Sequence, residues 1–547
     1  MVRAPHVLWI VLSAGCSGEA PAPTEQLPAP APADIVELAP EDQLIRASLD
    51  LRGIRPSIDE LDRLQADPEA MEALIDDYLQ DPRFGDRVAD LFAEIYLTRT
   101  ETWFVNLAAY DLGDVPYAQV VESLGEEPLQ ILAEIARQDL PITELVTADW
   151  TMANDVLARM WPLDYPEGQT GWRRAHYTDG RPAAGVLSSN SLWWRYQSTD
   201  SNANRKRANV ASRILLCHDY LTRPIDFDRN INLLDEEAVA DALRTNPSCL
   251  NCHVSLDPMA AYFFGFWWFE QSSVEVSSYH PSRERYWEDL LGTPPAYYGQ
   301  PGSSLSDLGQ QIAADNRFPE CMVEHVTELL LRRDAELLDF ERMTEHREAL
   351  IQGGLALRPL FKSVLQSPEY RAATDDGLPG TQVPLKMATP ALLASQIQDL
   401  TGFDWRSVDG YDLLQTDSVG FLTLAGGADG TYAVKNSTSP NTTLLLVQER
   451  LAEAAADYVV QLAEGGGSDL LGDIDLSDTP EGDRDAMVAT LKRLHLRMFG
   501  NRIEDDGPEV EANLELWSDL YALEGDTNKA WAGLLSALLR DPDLLFY

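Results

Sequence analysis

A six-residue phrase recurs three times in this sequence: Leu79-Gln80-Asp81-Pro82-Arg83-Phe84, Leu365-Gln366-Ser367-Pro368-Glu369-Tyr370 and Leu539-Arg540-Asp541-Pro542-Asp543-Leu544. Each copy closes a stretch whose apolar residues recur at helical spacing. Proline lacks an amide hydrogen and has a fixed φ, so it stops one helix, while the Asp or Ser before it can cap the next. The phrase marks the ends of three helical units, near 84, 370 and 547. Two readings of the repetition stand side by side, ancestral duplication and convergent helix punctuation.

The pattern upstream of the first copy is equally helical. Ser57-Ile58-Asp59-Glu60 is a capping-box pattern, in which the Ser hydroxyl satisfies an orphan amide and the Glu reaches back to the cap residue. Ile58, Leu61 and Leu64 follow at helical spacing, then Met71, Leu74, Ile75, Tyr78 and Leu79, then Val88, Leu91, Phe92 and Ile95. No comparable run of alternating, strand-like segments occurs, so the expected class is mainly α. At 547 residues the chain is too long for one compact core and predicts two to four packed units. With 45% hydrophobic residues and 13 tryptophans it can fill large cores, which excludes a disordered chain. Lys and Arg number 42 against 89 Asp and Glu, a formal charge of −47. Such a surface repels phosphate backbones, which argues against nucleic-acid binding, and it suits a cationic partner or a saline environment.

Residues 1–16 read as an export signal. Arg3 precedes the apolar run Val7 to Leu12, and Ser13-Ala14-Gly15 lead into Cys16. The arrangement resembles a bacterial lipoprotein signal with Cys16 as the lipidated residue, although Leu12 sits one position earlier than such signals prefer. Residues 17–40 read as a Pro/Ala-rich tether, too poor in apolar surface to fold and kept extended by proline. No later segment has the roughly 18 uninterrupted apolar residues of a membrane span. The expected layout continues with an N-terminal helical domain (41–140), a helical middle region (141–375) and a C-terminal helical domain (385–547). In the last of these, Leu424 to Gly430 is a glycine-rich turn without phosphate-loop spacing. The acidic run from Asp473 to Asp483 lacks calcium-loop spacing and reads as a solvated loop.

Within the middle region lies Cys249-Leu250-Asn251-Cys252-His253. Two thiols at this spacing can each add to one of two vinyl groups on a porphyrin edge, and the following imidazole then faces the iron. A structural zinc site needs four ligands, and no second Cys or His pair of suitable spacing exists. A Cys249–Cys252 disulfide leaves His253 without a role. The motif therefore predicts one haem c, attached at Cys249 and Cys252, with His253 as proximal iron ligand. Candidates for the distal position are Met322, His325, Met259 and His218; a vacant position is the other case. The aromatic run Ala261 to Phe269 is expected to serve as core and haem wall together. Cys217 and Cys321 remain as an even pair, which in an exported protein suggests a disulfide, the alternative being two buried thiols.

These residues bear a resemblance to the large planctomycete-type cytochrome c proteins, also found in myxobacteria, which are built from several domains of unknown function. Leu44 to Gly53 with Pro56-Ser57 looks like the opening of their N-terminal domain, and Asp81 to Gly85 like its continuation. Asp149 to Asn154, Leu157 to Arg159, Gly185 to Leu187 and Arg205 to Cys217 are similar to their next domain. Cys249 to Pro258 is similar to their haem segment, and Arg317 to Cys321 to the domain that follows. The chain departs from the pattern at Met259-Ala260, where the family has Leu-Gly, and after Cys217, where a proline cluster is reduced to Pro224. The resemblance is good over residues 41–375 and loose beyond. It implies an exported c-type cytochrome without naming a substrate or redox partner.

The functional expectation is an outer-membrane-anchored lipoprotein, facing periplasm or cell surface, that carries electrons through one haem. No catalytic dyad or metal cluster is recognisable. Two alternatives follow from the chain's size and the open distal question. One is a cell-envelope scaffold or binding lipoprotein with an accessory haem; the other is a haem enzyme with an open distal site.

Overall fold

The computed structural model describes residues 36–222, 231–232, 234–268, 273–335, 340–374, 385–472 and 474–547. The export signal with Cys16, most of the tether, Pro224, Phe269, Asp473 and most of the linker before 385 lie outside the described residues. The chain is mainly helical, and its only strands among the described residues are three two-stranded antiparallel ribbons of two or three residues per strand.

Each copy of the recurrent phrase closes a three-helix unit. The first unit is Pro40–Arg52, Ile58–Ala66 and Ala70–Gln80; the second is Arg317–Leu331, Phe340–Gln352 and Leu357–Leu365; the third is Arg484–Phe499, Pro508–Glu524 and Thr527–Leu539. In all three the leading helix ends on a left-handed residue, Gly53, Arg332 or Gly500. Arg332 adopts there a conformation that costs a side-chain-bearing residue about 1 kcal/mol or more. The phrases behave as punctuation at each site. Asp81 accepts the Arg83 amide at 2.9 Å, Ser367 the Tyr370 amide at 3.3 Å, and Asp541 the Asp543 amide at 2.9 Å. A shared helix order, left-handed turn and capped Asp/Ser-Pro favour duplication over convergence.

The units are clasped together at the first helix. The buried Asp50 carboxylate accepts the Tyr370 hydroxyl at 2.7 Å and the Tyr547 hydroxyl at 3.0 Å, and it pairs with the fully buried Lys386. Arg46 donates to the Tyr370 carbonyl at 2.8 Å and the Tyr547 carbonyl at 3.4 Å. Phe84 meets Phe361 edge-on, with ring centroids 5.0 Å apart. A large apolar core runs from Leu44 to Tyr370 and includes residues on both sides of position 140. A second gathers residues from Met387 to Leu545 and recruits Ile45 and Leu49. A third packs Trp103 and Trp161 against Trp194 and includes Leu124. The glycine-rich turn docks onto this body: Arg195 donates to the Leu97 carbonyl at 2.7 Å and to the Gly430 carbonyl at 2.5 Å.

Candidate haem-attachment site

The helix Pro247–Ala260 carries the two motif cysteines and His253. It starts where the sequence gives it a cap: the Asn246 side chain accepts the Ser248 amide at 2.9 Å, and Pro247 has no amide hydrogen to satisfy. At 100° per residue, Cys249, Cys252 and His253 fall within an arc of about 100° on one side of the helix. Both thiols are free and half-buried. Leu256, Met259 and Ala260 continue that side into the second half of the helix, where they are buried and anchor it to the core.

Behind His253 stands a chain of charge-assisted contacts. Its Nδ1 lies 2.8 Å from Asp257 Oδ1, one helical turn on. Asp257 in turn accepts Arg205 Nε at 2.7 Å and Arg205 Nη2 at 2.9 Å. Burial alone would raise the Asp257 carboxyl, but the hydrogen bonds from Arg205 and His253 outweigh it and hold the group below the usual carboxylate range. An ionised carboxylate can only accept, so the neutral imidazole carries its proton on Nδ1 and keeps its lone pair on Nε2. That is the state an iron-ligating histidine needs, with a carboxylate fixing its orientation. Two free thiols and a lone-pair nitrogen on one helical face fit a porphyrin held by two thioethers and one axial ligand.

Several large aliphatic residues near this helix are open to solvent. Val254, beside His253, is 68% exposed; Leu221 is 77% and Leu234 95% exposed. Leu221 follows Tyr220, whose hydroxyl meets Ser255 on the motif helix at 2.8 Å. Leu234 precedes the helix Glu236–Thr245, which packs against the motif helix. The aromatic run turns the other way: Phe263 packs on Trp193 at 4.6 Å and Phe266 on Tyr279 at 5.0 Å, within the core.

Among the other sequence candidates, Cys217, Cys321 and His325 come together. A disulfide joins Cys217 to Cys321 and links the end of the helix Arg205–Leu216 to the second repeat unit. His325 sits against it, Nε2 lying 3.3 Å from Cys321 Sγ and 3.0 Å from the Ile214 carbonyl. Burial pushes the His325 imidazole down to about 4, so it is neutral near pH 7. Cys217, Cys321 and His325 are the one trio among the described residues whose ligand atoms are close enough to share a metal, but both sulfurs are committed to the disulfide. Met322 and Met259 are buried in the core. His218 packs edge-on against Tyr220 at 4.6 Å, and through Tyr220 and Ser255 it is coupled to the motif helix. The sequence reading gave Asp257 and Arg205 no role. The i,i+4 spacing of His253 and Asp257 is the local signal for the first, whereas Arg205 is 52 residues distant and only the fold brings it in.

The fold and this helix together define a helical protein of repeated three-helix units with one half-buried thiol-and-imidazole segment. Residues 31–112 match the family model PSCyt2, described as a protein of unknown function (DUF1549), a domain family of the planctomycete-type cytochrome c kind. The match covers the first repeat unit and the helix after it. No curated protein and no solved structure matches the chain.

Proposed function

We propose that the protein is an exported, lipid-anchored monohaem c-type cytochrome that transfers electrons. The observation that carries this reading is the His253–Asp257–Arg205 relay on the same helical face as two free thiols. Cys249 and Cys252 would hold the haem through thioethers, and His253 would ligate its iron from Nε2. When bound, the haem supplies a one-electron couple. Asp257 and Arg205 orient the imidazole. The match at residues 31–112 supports a cytochrome-related family, and the surface charge suits a cationic redox partner. Anchoring rests on the lipoprotein-like segment ending at Cys16; no helix among the described residues is long and apolar enough to cross a membrane.

The test is expression in a host that matures c-type cytochromes, followed by a pyridine haemochrome spectrum, intact mass and an optical redox titration. One thioether-bound haem with a reversible α-band is the expected result. A colourless product, or a haem lost on acid extraction, ends the proposal. Loss of membrane association in Cys16→Ala, with the spectrum unchanged, tests the anchor separately.

A further inference from the structure

A cavity of about 450 Å³ lies between the helix Tyr117–Arg137 and the loop around Arg406 to Ser418 from the C-terminal half. No residue of the motif helix lines it. Three half-buried aromatic side chains, Tyr117, Trp172 and Tyr411, give it apolar walls. Five carboxylates face it, Asp90, Glu101, Glu122, Glu126 and Asp412, against two guanidiniums, Arg99 and Arg406.

The charges sort into satisfied groups and one exception. Arg99 is held by Asp90 at 2.7 Å and Glu126 at 2.5 Å, and Gln130 donates to the other Glu126 oxygen at 3.1 Å. Arg406 is paired with Asp404 at 2.7 Å. Asp412 accepts the Leu414 amide at 2.8 Å and the Gln415 side chain at 3.0 Å. Glu101 accepts the amides of Asp417 and Ser418 at 3.1 and 3.0 Å and the Ser418 hydroxyl at 2.7 Å. Glu122, at the rim, has no hydrogen bond or ion pair among the described residues. Partial burial first, then Glu126, raise its carboxyl above the usual range, against a smaller lowering by the Arg406 and Arg99 charges nearby. A neutral sugar would need open donors and acceptors, and most of these are already taken. An ammonium group relieves the Glu122 charge directly, and its apolar body is sheltered by the aromatic walls.

We infer that this cavity binds a small organic cation, an amine on an apolar or aromatic body, with Glu122 as its counter-ion. Isothermal titration of the full chain with phenethylammonium and with its neutral isostere 2-phenylethanol tests this. The amine should bind at least about tenfold more tightly than the alcohol, and Glu122→Gln should remove at least about tenfold of the amine's affinity. Being at the rim, Glu122→Gln should leave the thermal midpoint unchanged; Tyr411→Ala, read by the same titration, should weaken both probes. Equal affinity for amine and alcohol, unaltered amine binding in Glu122→Gln, or no measurable binding of the amine would each overturn the assignment.

Discussion

The motif helix and the third repeat unit are built to different ends. In the third unit protein atoms complete the packing: Leu491, Trp517 and Trp531 are at most 1% exposed, and the helices close on Asp541-Pro542. In the motif helix only three of fourteen residues are buried, Leu256, Met259 and Ala260. Its polar chemistry is nevertheless organised, because His253, Asp257 and Arg205 form one bonded chain. Apolar side chains near it stand in solvent. A segment with ordered charge and little burial of its own is suited to complete itself around a ligand, whereas the interior of the third unit is filled by its own and neighbouring side chains.

The largest effect should come from removing the thiols. In the double variant Cys249→Ala/Cys252→Ala, covalent haem should vanish from the haemochrome assay while far-UV circular dichroism keeps the wild-type helix signal. Collapse of the helix signal together with the haem would break the contrast, because the repeats would then depend on the ligand. Next comes the disulfide that ties the helix Arg205–Leu216, which supports the motif through Arg205, to the second repeat unit. The Cys217–Cys321 disulfide spans a sequence separation of 104 residues, so by loop-closure entropy its loss through Cys217→Ser/Cys321→Ser should cost roughly 4–5 kcal/mol. Chemical denaturation of both forms measures it, and the expected drop is in the denaturant midpoint.

Much of the repeat architecture was legible in the sequence because it is local. Ser57 and Glu60 stand three residues apart, and both capping-box bonds are present, Ser57 Oγ accepting the Glu60 amide at 3.2 Å and Glu60 Oε2 accepting the Ser57 amide at 2.7 Å. Asp81, Ser367 and Asp541 likewise cap from positions next to their prolines. What was not legible depends on distant partners. Nothing near Asp50 announces that Tyr370, Lys386 and Tyr547 converge on it, or that Arg205 supports a carboxylate 52 residues away. The position of His325 against a disulfide is a tertiary fact of the same kind, as is the aromatic cavity between two halves of the chain.

A smaller, pH-dependent effect should arise where the regions join. Burial depresses the folded-state pKa of His325 to about 4, against an ordinary value near 6.5, so the unfolded chain takes up a proton before the folded one does. The resulting stability is fully present above pH 6.5 and falls by about 1.4 kcal/mol per pH unit as the pH drops towards 4, by about 3 kcal/mol in all. His325→Gln should flatten that part of the profile relative to wild type. If the wild-type and variant slopes coincide between pH 6.5 and 4, His325 is not held neutral by burial.

The smallest expected effect isolates the repeats from the motif. Ser57→Ala removes the acceptor for the Glu60 amide at the start of Ile58–Ala66 and keeps the backbone amide that Glu60 accepts. The cap is solvent-exposed, so water replaces part of the lost bonding, and the cost should be about 1 kcal/mol in a denaturation experiment. Because the cap bonds are local and exposed, this loss should leave the haem spectrum and the reduction potential where they were. A shift in the potential of Ser57→Ala would mean that strain at the first unit reaches the motif helix, through Asp50 and the clasp or by another route. The two regions would then have to be treated as one cooperative body rather than as a finished scaffold holding an unfinished site.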